Sequence, residues 1–141
     1  MTRLAVTFAL LLGCRQEAAW PPTPVPVALG EESCAGCRMI ISDAHFGAQL
    51  HDRRLGIQQF DDLGCWQKVI AATKADPAAS FVRSFSDGAW IRADRAFLVR
   101  YGELHSPMGS GLAAFPTRSA AQAFAGRHAD AVVLSPDELI Q

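Results

Sequence analysis

The sequence predicts a small α+β domain made of two ββαβ halves packed as one unit. Three observations lead there. Gly56-Ile57-Gln58-Gln59-Phe60 is similar to Gly111-Leu112-Ala113-Ala114-Phe115, at an offset of 55 residues. Each block is a short strand-like run, followed by a helix signal and then a further β-like run. The chain has 141 residues, half of them hydrophobic, which suits one core of modest size.

The elements follow in order. Residues 45–51 read as the opening strand, and the first block as its neighbour. Asp61 and Asp62 then cap a helix whose apolar positions Leu63, Trp66, Val69 and Ile70 recur at helical spacing. Residues 80–86 close the first half, and residues 96–101 open the second. After Phe115, Pro116 and Ser119 start the second helix, with Ser119 and Gln122 spaced as a capping box. Ala120, Ala121 and Phe124 form its apolar face, and Gly126 can end it. Residues 131–134 supply the last strand. Neither half could cover its sheet alone, so the two should share a core.

The N-terminus reads differently. Arg3 is a short cationic region, residues 4–12 are apolar, and Leu11-Leu12-Gly13-Cys14 resembles a bacterial lipobox. The expectation is a signal peptide over 1–13, a lipid on Cys14, and a proline-rich tether over 14–33 ahead of a metal-binding domain over 34–141. Pro21, Pro22, Pro24 and Pro26 make the tether extended, reaching on the order of 50 Å from the membrane. An ordinary signal peptide with an incidental cysteine, or a buried N-terminal helix, is the alternative. This places the chain in the bacterial cell envelope, facing the periplasm or the exterior. The net charge of −1 gives no basic stripe for nucleic acid. No apolar run is long enough to span a bilayer.

Cys34-Ala35-Gly36-Cys37-Arg38-Met39 is the most informative stretch. Two cysteines three apart can aim both sulfurs at one point if the residues between them turn, and Gly36 permits a turn. Thiolate and thioether are soft donors that favour Cu(I) over hard cations. A zinc site would repeat the pair or add histidines at conventional spacing. A redox dithiol of thioredoxin type and a structural disulfide remain alternatives. Met108 lies in Ser106-Pro107-Met108-Gly109-Ser110-Gly111, a tight loop that leaves a thioether little apolar surface to bury, so it too reads as a ligand; a loop methionine folded over the core is the alternative.

The spaced motifs Cys34-x-x-Cys37-x-Met39, Phe60-Asp61-Asp62-Leu63-Gly64-Cys65 and Pro107-Met108-Gly109-Ser110-Gly111-Leu112-x-Ala114-Phe115 resemble the NosL family of copper accessory lipoproteins for nitrous oxide reductase. The resemblance spans roughly residues 34–134. It implies a tandem ββαβ fold similar to the organomercurial lyase core, Cu(I) binding, and delivery to an envelope maturation apparatus. The motif positions it carries over are Cys34, Cys37, Met39 and Met108. Arg127-His128-Ala129-Asp130 departs from the glycine pair frequent in the family, which leaves any role of His128 open.

Other residues carry two readings. Cys65 sits at a helix start, where a thiol pKa falls, and could be a third sulfur ligand; a small buried hydrophobe is the plainer use. His105 could complete a site with Met108, or lie on the surface. His45 and His51 fall on one face of a regular strand and read as satisfied or solvated. Helix capping explains Asp61-Asp62 better than acid–base catalysis. The functional expectation is a Cu(I) carrier that hands its ion to a metal-receiving envelope protein and is not an enzyme. The alternative is an envelope thiol–disulfide oxidoreductase using Cys34 and Cys37. An enzyme acting on organometals is a third reading, suggested by architecture alone.

Overall fold

The computed structural model describes residues 23–76, 79–136 and 138. The expected signal peptide, Cys14 and the first part of the tether lie outside these residues. In chain order the elements are β1 (Ala48–Asp52), β2 (Gly56–Phe60), α1 (Leu63–Thr73), β3 (Ser80–Arg83), β4 (Trp90–Arg92), β5 (Phe97–Arg100), β6 (Leu112–Phe115), α2 (Arg118–Ala125) and β7 (Val132–Leu134). A 3-10 turn, Ala93–Arg95, links β4 to β5. No helix among the described residues is long and apolar enough to cross a membrane.

The strands form two antiparallel sheets, ordered β2-β1-β3-β4 and β6-β5-β7. In each half the first strand is central, flanked by its hairpin partner and by the strand after the helix. The expected ββαβ repeat is therefore present. β4 is an addition to the first half. It is three residues long, too short to show alternation, and pairs with β3 through Phe81–Arg92 and Arg83–Trp90. The Arg83 guanidinium lies 3.8 Å from the centre of the Trp90 ring.

Two expected boundaries move. β1 begins at Ala48, so His45 is in a loop. There its own N–H donates to Asp43 Oδ1 at 2.7 Å, which takes it out of the strand ladder. The cap of α2 is Thr117, not Ser119: Ala120 N donates to Thr117 Oγ1 at 3.1 Å. Thr117 keeps the 55-residue offset from Asp62, the cap of α1.

The second sheet alternates with period two. Leu98, Leu112 and Ala114 face a core shared with Leu50, Phe60, Leu63 and Trp66 of the first half. Val99, Ala113 and Phe115 face the other way, onto Ala121 and Phe124 of α2. Both faces of this sheet are thus covered, and neither half is closed without the other. Trp66 places its ring in the shared core and donates its indole N–H to Ser80 Oγ at 3.0 Å.

The chain engages the fold well before residue 34. Val25 N donates to Gln49 Oε1 at 3.0 Å, and Gln49 Nε2 donates back to Val25 O at 2.5 Å. Residues 30–41 then form a hairpin-like segment: Ile41 N donates to Glu32 O, Gly30 N to Ile41 O, and Ser33 bridges Ile40. Ala35 N donates to Gln59 O at 2.8 Å, fixing the tip of this segment beside β2.

Asp61 and Asp62 hold three pieces of chain together. Asp61 Oδ1 accepts from Ser42 N at 3.0 Å, which ties down the exit of the cysteine turn. Asp62 Oδ1 accepts from Gly64 N at 2.7 Å and caps α1. Asp62 Oδ2 accepts from Ser106 Oγ at 2.7 Å and from Met108 N at 3.0 Å, tying the distant Met108 loop to the same helix start. Burial pushes the Asp62 carboxyl up, but bonds from Ser106, Ser110, Met108 and Gly64 outweigh it and hold it below the usual range. Burial wins at Asp61, whose carboxyl is raised, with the Asp62 and Asp43 charges adding to the effect.

The two carboxylates should therefore act on stability with opposite signs. Asp62 has a depressed pKa, so its contribution is present above the unfolded value, about 3.9, and is lost as pH falls through the folded value. Asp61 has a raised pKa, so its contribution is present below that value and is lost as pH rises through the folded one. Asp62→Asn should cost about 1–3 kcal/mol at pH 7, because donors are left facing an amide. Asp61→Asn, which keeps an oxygen for Ser42, should be neutral or stabilising there. Urea unfolding between pH 3 and 7 checks both; equal losses from the two variants would contradict the assignment.

Candidate metal centre

The cysteine turn is closed by its own backbone. Cys34 N donates to Met39 O at 2.8 Å and Arg38 N to Cys34 O at 2.9 Å, with Arg38 in the left-handed region at φ 68°. The residue that makes the turn conformationally special is therefore Arg38. Gly36 serves close approach: a Cβ there would lie 3.0 Å from Cys65 Cβ and 3.4 Å from Cys65 O. The turn is thus seated against the first turn of α1. Gly64 does the same on the opposite side, where a Cβ would lie 2.7 Å from Ser110 Cβ. Two glycines let the cysteine turn, the start of α1 and the Met108 loop come together.

The result is a cluster of three thiols. The sulfurs of Cys34, Cys37 and Cys65 all lie within 4.8 Å of one another, and all three cysteines are free. Cys34 is 0% exposed and Cys65 8%, while Cys37 is partly exposed. Cys37 and Cys65 open onto a cavity of about 560 Å³ that Met108 also lines. Cys34 stands behind them in the core.

Their electrostatics differ. Burial alone would raise the Cys34 thiol. Backbone hydrogen bonds at Asp61, Cys37 and Gly36, with one from the Cys37 side chain, outweigh it and hold the thiol below its usual range. Cys65 is pushed up to about 12, by burial first and then by the neighbouring Cys34 and Cys37. The depressed pKa expected from its helix-start position is overturned, because desolvation and nearby sulfur outweigh the helix dipole.

Of the residues singled out by sequence, Cys34, Cys37 and Cys65 meet, and Met108 lines the same cavity. Met108 is 45% exposed. Met39 is 58% exposed and contributes its carbonyl to the turn; it is not among the residues lining the cavity. His105 is exposed and also outside the lining. His51 is buried, meets Gln49 Oε1 at 3.1 Å and packs edge-on to Phe81. His45 pairs with Asp43. His128 stacks between Phe124 and Tyr101, with centroids 4.4 and 4.7 Å away. The residue undervalued by the sequence reading is Cys65. Its signal was the small Gly64 beside it, which a helix tolerates poorly and which here admits Ser110.

In the chemistry of the donors, three thiols and a nearby thioether suit a soft ion. Metal–sulfur bonds of about 2.3 Å, as in zinc thiolates, put sulfurs sharing an ion at most about 4.6 Å apart. The cluster is therefore within a few tenths of an ångström of that limit before any ion enters. The Cys34–Cys37 pair is not at a helix N-terminus, where dithiols of thioredoxin type sit. Brief iodoacetamide treatment of the reduced protein at pH 8 should label Cys37 first among the three and Cys65 last. A thiol with a pKa near 12 is about one part in ten thousand thiolate at that pH. Peptide mass mapping checks the order; early labelling of Cys65 would contradict it.

The sequence model of the NosL family matches residues 25–139. Among solved structures, the copper chaperone NosL from Shewanella denitrificans has a similar fold, with a TM-score of 0.73 and 18% sequence identity. The match covers 86% of this chain and 98% of that one. No protein of curated function matches the chain. The family match covers well over half of the chain, and the chain belongs to the NosL family.

Proposed function

We propose that the protein carries Cu(I) in the bacterial cell envelope and yields it to a metal-receiving partner. One observation carries the reading: three free thiols from two separate elements lie within 4.8 Å of one another, at the head of a cavity lined by a thioether. The Shewanella protein of similar fold is a copper chaperone, which agrees with it. In this reading Cys34, Cys37 and Cys65 hold the ion, and Met108 is the fourth donor or the first to be exchanged. Met39, exposed and outside the cavity lining, serves from the solvent side.

Burial gives the transfer a direction. Cys34 is enclosed, whereas Cys37 and Met108 are open to solvent on the cavity side. A recipient's sulfur would enter there and displace ligands one at a time, leaving Cys34 until last. Soft donors, exchanged one at a time, keep each step small. A lipid on Cys14 and the following prolines would hold the carrier near its membrane-bound recipient. The recipient fitting the family is the maturation apparatus of nitrous oxide reductase.

The reduced chain should bind about one Cu(I), measured by competition with a chromophoric Cu(I) chelator. Cys37→Ser and Cys65→Ser should each weaken binding at least tenfold, and Cys34→Ala combined with Met108→Ala should abolish it. Gly36→Ala, which touches no ligand atom, should cost roughly tenfold by displacing Cys65. Binding indifferent to Cys65 would remove Cys65 from the ligand set. Turnover in an insulin-reduction assay that needs only Cys34 and Cys37 would replace the carrier by an oxidoreductase.

A further inference from the structure

The cavity beside the thiols is much larger than an ion requires. Its volume of about 560 Å³ falls in the range of small-molecule sites. It runs along α1 from Gly64 in the first turn to Thr73 in the last. Its wall is apolar at Val69, Ala72 and Leu112. Its exposed charges are both cationic, Lys68 on α1 and Arg100 on β5, and Arg100 stands opposite Leu112 in the sheet. Among the described residues neither cation forms an ion pair. The carboxylate in the lining, Asp62, is fully buried, with its oxygens taken by Gly64, Ser106 and Met108.

Soft sulfur at the head, an apolar wall and two unpaired cations describe a complementary ligand. We infer that the cavity seats a small anionic thiol, about the size of a cysteinyl tripeptide, as a co-ligand of the bound Cu(I). Its sulfur meets the ion beside Cys37 and Cys65, and its carboxylates meet Lys68 and Arg100. This inference rests on the Cu(I) reading above and names the form in which the ion arrives.

The exchange balances without oxidation. The ion enters as a bis-thiolate complex, RS–Cu–SR, with one negative charge at the centre. A bond forms from Cys37 Sγ to copper and one Cu–SR bond breaks. The proton of the Cys37 thiol passes to the departing thiolate, which leaves as RSH. The centre is now Cys–S–Cu–SR with the same charge, and copper stays Cu(I). The remaining RS⁻ stays on copper as the co-ligand, seated in the cavity, until the recipient's sulfur displaces it.

The test uses the reduced full chain, with radiolabelled reduced glutathione as the anionic probe and 2-mercaptoethanol as an uncharged one, in equilibrium dialysis. Loaded with one equivalent of Cu(I) from a thiol-free donor, the chain should retain about one glutathione; the metal-free chain should retain none. Lys68→Gln combined with Arg100→Gln should weaken retention roughly tenfold, the combined effect expected of two solvent-facing ion pairs. Cu(I) uptake from the thiol-free donor should be unchanged in that variant, which also shows that it folds. Three results would overturn the inference and leave the carrier standing: no retention by the loaded chain, equal retention of 2-mercaptoethanol, or a double variant that retains glutathione normally. Failure to take up Cu(I) from the thiol-free donor would remove both readings.

Discussion

The buried carboxylate of Asp62 is the constraint on which the site depends. One oxygen caps α1, the helix that carries Cys65. The other holds the hydroxyl of Ser106 and the N–H of Met108, more than forty residues away. A fully buried charge is costly unless every lone pair finds a donor, and here the donors come from two elements far apart in sequence. The carboxylate therefore cannot be satisfied by the helix alone. Satisfying it brings the thioether loop to the thiol cluster, so gathering the sulfurs and folding become one event.

The same region shows why the site lies in the seam between the halves. Cys34 belongs to the hairpin-like segment beside β2, Cys65 to α1, and Met108 to the loop before β6. These elements touch because Leu98, Leu112 and Ala114 of the second sheet share a core with Leu63 and Trp66 of α1. Apolar burial provides the association and is not directional. Direction comes from the small polar set around it: Asp61 on Ser42, Asp62 on Ser106 and Met108, and Gly36 and Gly64 at the closest approaches. A side chain at either glycine would leave the core almost intact and still spoil the spacing of the sulfurs.

Local features were legible in the sequence, and long-range ones were not. The repeated pentapeptide, the helical spacing of Leu63, Trp66 and Ile70, and the Asp62 cap are nearest-neighbour signals, and the structure contains them. Both helices and the ββαβ order followed from these signals. The capping residue of α2 was misplaced by two positions because Ser119 and Gln122 fit a spacing pattern that the backbone does not use. β4 escaped because three residues carry no period. Cys65 reads from sequence as either core or a third ligand, because burial is the ordinary fate of a free cysteine. Only the fold puts its sulfur beside Cys34 and Cys37. Gly36 reads locally as a turn residue, whereas its absent Cβ is needed for the close approach of Cys65 on α1.

The repeat also explains why a duplicated fold carries one thiol cluster. At the 55-residue offset, Asp62 corresponds to Thr117, and both cap a helix. Thr117 has one hydroxyl oxygen, which Ala120 N occupies, and no second acceptor with which to draw in a distant loop. Cys65 corresponds to Ala120, and the position of Trp66 is filled by Ala121, packed into the smaller core of α2. The second half thus keeps the cap and the packing while lacking both the cross-linking carboxylate and the sulfur. Its loop before β6 donates instead to the carboxylate of the first half. The two halves are alike as architecture and unlike as chemistry: one supplies the thiols and the anchor, and the other supplies the loop that the anchor holds.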